Sequence, residues 1–185
     1  MGKFIFGILI GVALVCGAVY AYFVYGFAPV ATNAAPMPFE KKLANSALHA
    51  RVNKEMPKDV PLPVDESNLV AGAQVYKQHC AVCHGLPGQD QTPIAQGMFP
   101  KPPKLTEGAG VTDDPAQETF WKVENGIRMT GMPGFQSTLT TPQIWQVSIM
   151  LANADKLPPA AKDALTAPIP APLQPPQGTP KPMHK

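Results

Sequence analysis

Cys80-Ala81-Val82-Cys83-His84 is the stretch that decides how this chain of 185 residues is interpreted. At C-x-x-C-H spacing, two thiols on one helical turn can add to the vinyl groups of one porphyrin, and the adjacent histidine can reach the iron. A zinc site would need about four ligands, and no second cysteine pair or paired histidine follows. A dithiol redox site would need a βαβ pattern, which is absent from the sequence. The motif therefore predicts one haem c, held covalently by Cys80 and Cys83, with His84 as a ligand of the iron.

Around the motif, residues 64–156 form the globular part of the chain, and their start and stop signals are helical. Ser67 can cap a first helix that runs into the motif. A second helix starts at Pro115 and closes at Gly126, and a third opens at Thr141. Long proline- and glycine-rich loops without strand alternation join them. The pattern predicts a small all-α domain.

The N-terminal segment predicts a membrane anchor over residues 1–27. After Lys3 no charge occurs until Glu40, and Phe4 to Phe27 is almost wholly apolar. A helix of that length spans about 36 Å, enough to cross a hydrocarbon core of roughly 30 Å. A cleaved signal peptide has a shorter apolar region, so we expect an uncleaved helix, with cleavage near residues 31–35 as the alternative.

The haem motif sets the expected compartment. Haem is attached to C-x-x-C-H on the outer face of the bacterial cytoplasmic membrane. A single-pass protein is therefore expected, with everything after residue 30 in the periplasm. The lipid bilayer is then one of its partners.

Two further segments flank the globular region. Residues 28–63 read as a periplasmic linker that contains a short amphipathic helix over about 39–55. That helix has three possible partners: anionic lipid, a partner subunit, or its own haem domain. Residues 157–185 hold nine prolines and predict a flexible, extended tail.

The second axial ligand has to come from among four methionines. A thioether in that position raises the reduction potential relative to a second imidazole. Met150 falls on a packing face of the third helix, and Met98 lies in a proline-rich loop. Met132 lies in Gly-Met-Pro-Gly, where small neighbours allow close approach to a porphyrin. Met129 shares that loop and is its main rival, so residue type alone leaves the choice open.

Three segments of the chain carry a family resemblance. They are Gly72-x-x-x-Tyr76-x-x-x-Cys80-x-x-Cys83-His84-Gly85, Phe99-Pro100-Lys101-Pro102-Pro103, and Asn125-Gly126-Ile127-Arg128-x-Thr130-Gly131-Met132-Pro133. With a final helix containing Trp145, the domain resembles class I c-type cytochromes of the membrane-anchored, monohaem bacterial kind, over about half of the chain.

The resemblance implies the class I cytochrome c fold and a set of roles. His84 and Met132 would be the axial ligands, and a carbonyl of Pro102-Pro103 would accept a hydrogen bond from the far nitrogen of His84. Gly72 and Tyr76 would pack where the first helix crosses the last, against residues such as Trp145 and Ile149. His79 matches no family role and is expected to be exposed.

Charge separates the globular region from its attachments. Residues 64–156 carry 6 Lys/Arg against 9 Asp/Glu, whereas the whole chain has a net charge of +2. No strongly basic docking ring is evident, and no nucleic-acid signature appears.

Together these features predict a membrane-tethered periplasmic electron carrier and not an enzyme. It would be a shuttle or the cytochrome subunit of a respiratory redox complex. Its partners would be membrane redox proteins: a dehydrogenase, a quinol-oxidising complex or a terminal oxidase. No small-molecule substrate is expected, because both axial positions would be filled. The alternative is a haem enzyme or gas sensor, which would need an open or displaceable sixth position.

Overall fold

The computed structural model describes residues 1–108 and 113–167, and within these ranges every regular element is helical. This confirms the all-α class. In chain order the α-helices of the described residues are α1 (Gly2–Val24), α2 (Glu40–Glu55), α3 (Glu66–Val75), α4 (Ala81–His84), α5 (Pro93–Gln96), α6 (Ala116–Asn125), α7 (Thr141–Leu151) and α8 (Pro159–Thr166). A π-helical turn, Tyr76–Cys80, joins α3 to α4, and a 3₁₀ turn, Ala154–Lys156, precedes α8.

Helix α1 is long and apolar enough to cross a bilayer. Within its 23 residues an 18-residue window has a mean hydropathy of 2.5, and none of its side chains is buried against the rest of the protein. A helix of this length spans about 35 Å. A membrane anchor and a signal sequence both meet this description.

The core of the haem-motif region forms where α3 crosses α7. A Cβ on Gly72 would overlap the backbone oxygen of Gln146 and lie 2.8 Å from the Cβ of Met150, so glycine is what lets the two backbones approach. Met150 is fully buried, as its packing-face position predicts. On the other side of α7, Trp145 stacks on Phe120 of α6, with ring centroids 4.1 Å apart.

The helix starts follow ordinary capping chemistry, with one change from prediction. Asp65, and not Ser67, caps α3: its carboxylate accepts a 2.8 Å hydrogen bond from the Asn68 amide. The Ser67 hydroxyl donates to the same carboxylate. At α7, Thr140 and Gln143 form a capping box just before the predicted start.

Helix α8 differs from the flexible tail predicted from Leu157 onward. Leu157, Ala161 and Leu165 repeat at four-residue spacing, and all three are buried in the common core. Two of the nine prolines that suggested an extended tail, Pro158 and Pro159, occupy the helix start, where a missing amide costs nothing. The Lys77 ammonium donates to the carbonyl oxygens near the end of α8, at 2.6 and 3.0 Å. The rest of that tail, residues 168–185, lies outside the described residues.

Helix α2 lies where a helix was predicted, over about 39–55, but its large apolar side chains are not gathered on one face: Val52 is buried and Leu43 is exposed. Its C-terminal half packs on α6. Val52 is fully buried there, and the Trp121 indole donates to the Glu55 carboxylate at 3.3 Å. His49 lies 3.8 Å from the Glu118 carboxylate. The sequence left three possible partners for this helix; its C-terminal half packs on one of them, the chain's own haem-motif domain.

Candidate haem site

The attachment motif lies where the path of the chain tightens after α3. The π-helical turn ends at Cys80, and the short helix α4 places Cys83 and His84 one turn further on. Both thiols line one cleft, and neither is in a disulfide. Burial, together with the nearby Cys83, raises the pKa of the Cys80 thiol to about 12.

The residue after the motif fixes this wall of the cleft. Gly85 has a positive φ of +80° and ends α4. Its carbonyl accepts a 2.8 Å hydrogen bond from the fully buried Tyr76 hydroxyl. Burial raises the pKa of Tyr76 well above its usual range, so the phenol remains a donor. This hydrogen bond therefore links the C-terminal end of α4 to the first residue of the π-helical turn that precedes it.

The His84 ring is oriented by a proline carbonyl. Its Nδ1 lies 2.8 Å from the backbone oxygen of Pro103, which can only accept, so Nδ1 carries the proton and Nε2 keeps its lone pair. Burial lowers the pKa of His84, and the Pro103 hydrogen bond opposes that effect only in part. The neutral imidazole is thus favoured, which is the form that binds metals.

Pro102 has a different role from Pro103. Its carbonyl accepts a 2.8 Å hydrogen bond from the side-chain amide of Gln91, not from His84. That bond holds the loop after the motif against the proline-rich segment. Both prolines line the cleft.

Met132 enters the cleft from the α6–α7 loop and is half-buried. The loop is pinned through its backbone: the Ile127 amide donates to the Met132 carbonyl at 3.2 Å, and the Met132 amide donates to the Thr130 hydroxyl at 3.1 Å. Gly126 opens the loop at φ +69°, where a Cβ would lie 2.5 Å from the Gly134 nitrogen. Only glycine fits this close return of the chain.

The other methionines divide clearly. Met129 has a left-handed backbone, is 92% exposed and does not line the cleft. Met98 does line it, and its methyl group packs on Gly131 so closely that a Cβ there would overlap it. The structure thus brings two thioethers, Met98 and Met132, to one cleft. Among methionines, it favours Met98 over Met129 as the rival of Met132.

The rim of the cleft carries a charged group that the sequence reasoning missed. Lys122, only 17% exposed, pairs with Asp114 at 2.6 Å and with Glu118 at 2.8 Å. Burial alone would lower the pKa of Lys122, but the hydrogen bonds that its ammonium donates to the two carboxylates raise it. The four-residue spacing of positions 114, 118 and 122 is the sequence feature that could have predicted this ion-pair cluster. His79 also lines the cleft, edge-on to Phe135, and is half-buried where exposure was expected.

The residues present fit a haem better than a bare metal ion. Two thiols, one oriented imidazole and one or two thioethers converge on a cleft with mainly apolar walls. Across residues 1–108 and 113–167, no group of three or more His, Cys, Asp or Glu side chains is arranged to hold an ion by itself. Such a donor set suits an iron that brings its own porphyrin nitrogens.

The helical core, the attachment motif and this cleft together define a class I c-type cytochrome domain. Residues 67–149, a little under half of the chain, match the family described as cytochrome c oxidase, cbb3-type, subunit III. The chain therefore carries a cytochrome c domain, and electron transfer is the activity of domains of this class.

Two further likenesses were found. The quinohemoprotein alcohol dehydrogenase ADH IIB of Pseudomonas putida is 26% identical over 98 residues, which is 52% of this chain and 13% of that protein. The chain thus matches only a small part of that relative's length. A solved chain of the reducing HAO-like protein complex of Kuenenia stuttgartiensis shares 24% identity with a TM-score of 0.43, covering 54% of this chain and 50% of that one.

Proposed function

We propose that this protein is a membrane-tethered periplasmic electron carrier with one covalent haem c, ligated by His84 and Met132. One observation carries the proposal: an oriented imidazole and a backbone-pinned thioether line the same apolar cleft as two thiols. When bound there, the haem supplies reversible one-electron chemistry at its iron. With both axial positions held by the chain, no coordination position is left for a substrate.

Each side chain has a separate task in this proposal. Cys80 and Cys83 would hold the porphyrin by thioether bonds, and the Pro103 carbonyl, by binding Nδ1 of His84, would leave Nε2 free to ligate the iron. Met132 supplies a weaker, softer ligand that favours the reduced state. The apolar walls exclude water, which also favours the less charged, reduced site.

Tethering by α1 is the second part of the proposal. The helix has the length and hydropathy of a membrane span, and haem attachment to C-x-x-C-H on the outer face of the cytoplasmic membrane supports a periplasmic domain. A tether raises the local concentration of the carrier beside membrane enzymes. A dehydrogenase, a quinol-oxidising complex or a terminal oxidase would exchange electrons with it. The name of the Pseudomonas putida relative, a dehydrogenase, supports a redox enzyme as partner.

The axial ligand can be tested by optical spectroscopy of the full, haem-loaded chain. The oxidised protein should show a sulfur-to-iron charge-transfer band. Met132→Ala should abolish that band and lower the reduction potential. Met98→Leu and Met129→Leu serve as matched controls and should keep it. Loss of the band in Met98→Leu, with Met132→Ala unchanged, would move the ligand to Met98 and overturn the assignment.

The same protein tests carrier against haem enzyme or gas sensor. A six-coordinate carrier should be low-spin in both redox states and should bind carbon monoxide slowly when reduced. A high-spin spectrum with fast, complete CO binding would overturn the carrier proposal. Alkaline extraction of membranes tests the tether, because a cleaved or peripheral protein would be released into the soluble fraction.

A further inference from the structure

Helix α2 has one face that the haem domain covers and one that it does not. Besides the buried Val52, the Glu55–Trp121 hydrogen bond and a 3.2 Å bond from Gln117 to the Lys58 carbonyl fix its C-terminal end on α6. Between residues 41 and 47, by contrast, every side chain is exposed. The first half of the helix therefore extends beyond the domain on which the second half rests.

The uncovered face is apolar at its centre. Leu43 precedes Val52 by nine residues, which at about 100° per residue puts the two on opposite sides of the helix. Leu43 is 68% exposed, and Phe39, one turn earlier, is 74% exposed. Ala47 and Ala50 continue the same stripe, and both are exposed. Two large apolar side chains thus point away from the domain to which α2 is bound.

Within the part of the chain that the structure describes, the charged side chains of α2 that have no partner are lysines. Its two carboxylates are engaged: Glu40 accepts from the Met37 amide at 2.8 Å, and Glu55 pairs with Arg51 at 2.7 Å. Lys42 lies beside the apolar stripe and Lys54 at its far end, and in the described residues neither forms an ion pair. Free cations beside exposed Phe and Leu side chains give this face the charge and the apolar surface for contact with anionic headgroups.

The chain also keeps α2 close to the membrane. Fifteen residues separate Val24, the last residue of α1, from Glu40, the first of α2. Fully extended, they reach at most about 54 Å, so α2 stays within that distance of the end of α1 and can reach the bilayer surface once α1 is inserted. We propose that the outward face of α2 lies on anionic phospholipid, with the haem domain carried on its opposite face.

This inference rests on the proposed insertion of α1, and it sets how far the cleft lies from the membrane surface. His49 of α2 contacts Glu118, and Glu118 pairs with Lys122 at the rim of the cleft. Side chains of α6 thus contact α2 on one side and line the cleft on the other. Packed helices lie about 8–10 Å apart axis to axis, so a haem bound in the cleft would lie about one helix layer from α2.

The test uses the full haem-loaded chain in lipid nanodiscs of two compositions: phosphatidylcholine alone, and an equal mixture with phosphatidylglycerol. Hydrogen exchange of the segment 39–50, followed by mass spectrometry, should slow at least tenfold in the anionic discs. The double variant Lys42→Gln and Lys54→Gln should lose that protection. Lys156→Gln with Lys162→Gln removes the same charge from exposed sites near α8 and should keep it.

Each outcome has one meaning. Equal exchange in both lipids, or protection that survives loss of Lys42 and Lys54, overturns the lipid surface. Protection that appears only when a membrane protein is added overturns it in favour of a protein partner. If the chain does not stay in the discs, the proposed tether itself fails. If it stays with an intact haem spectrum and exposed 39–50 amides, only this inference fails.

Discussion

Helix α4 and the α6–α7 loop present the two proposed iron ligands from walls of different construction. His84 ends a continuous helical path, and its side of the cleft is held by two hydrogen bonds from side chains to backbone carbonyls: Tyr76 to Gly85 and His84 to Pro103. Met132 lies in a loop whose shape depends on backbone bonds and on glycine at position 126. A helix-borne ligand is positioned by core packing, whereas a loop-borne ligand depends on a few backbone conformations. The Met132 wall should therefore yield first under stress.

The largest expected effect is on the His84 wall. Replacing both thiols, Cys80→Ala with Cys83→Ala, should remove all covalently bound haem, because the third cysteine, Cys16, lies in α1 and does not line the cleft. Haem staining of the denatured protein on a gel measures this directly. Cys16→Ala, an exposed cysteine in α1, is the matched control and should retain full staining. Staining in the double variant would show that the attachment assignment is wrong.

The next effect tests the Met132 wall. Gly126→Ala should destabilise the holoprotein by about 3 kcal/mol, since it combines a positive φ with a Cβ placed against Pro133 and Gly134. Gly88→Ala has the same φ of +69° but meets nothing within 4 Å, so it should cost only about 1 kcal/mol. Denaturant unfolding gives both values. If the two variants lose equal stability, close packing at Gly126 does not hold the loop.

A smaller effect should appear on the His84 wall. Tyr76→Phe removes the hydroxyl that bonds the Gly85 carbonyl and should cost about 1–2 kcal/mol. The charge-transfer band assigned to Met132 should be unchanged, because the loss is confined to the other wall. Tyr25→Phe, at an exposed position after α1, should leave stability as it was. A band that weakened with Tyr76→Phe would show that the two walls are coupled.

The smallest effect concerns α6, beneath the Met132 loop. Lys122→Met should cost about 1 kcal/mol near neutral pH, because it leaves Asp114 and Glu118 without their cation. The folded pKa of Lys122 is raised, so its contribution is complete below the unfolded value of about 10.4 and is lost as the pH rises through the folded value. The stability difference between wild type and variant should thus narrow only in strong alkali. A difference that already shrinks between pH 7 and 9 would contradict this account.

Features built from residues close together in the sequence could be predicted, whereas contacts between distant positions could not. The attachment motif and the Gly-Met-Pro loop are local patterns, and the structure places their residues in one cleft. The contact of Met98 with Gly131 joins positions 33 residues apart, so no local pattern distinguishes Met98 from an ordinary loop residue. The packing of α2 on α6 could not be predicted either, because it depends on Trp121 and Glu118, which lie more than 60 residues further along the chain.

Helix α8 shows how composition can hide periodicity. Leu157, Ala161 and Leu165 have the four-residue spacing of a buried helix face, but the prolines around them dominate the composition of that stretch. Two of those prolines stand at the helix start, where they favour a helix. Position within the helix, and not proline content, decides their effect.

The bond between Lys77 and the end of α8 has a consequence for the order in which the domain is completed. Lys77 lies three residues before Cys80, the first cysteine of the motif, and its ammonium donates to the carbonyls of Ala164 and Ala167. Synthesis runs from the N-terminus, so the attachment motif emerges long before those carbonyls exist. The face of α3 beneath Leu165 stays open to water until residue 167 has been made. A chain that ended at residue 156 would leave that face bare permanently, together with the lysine beside the motif.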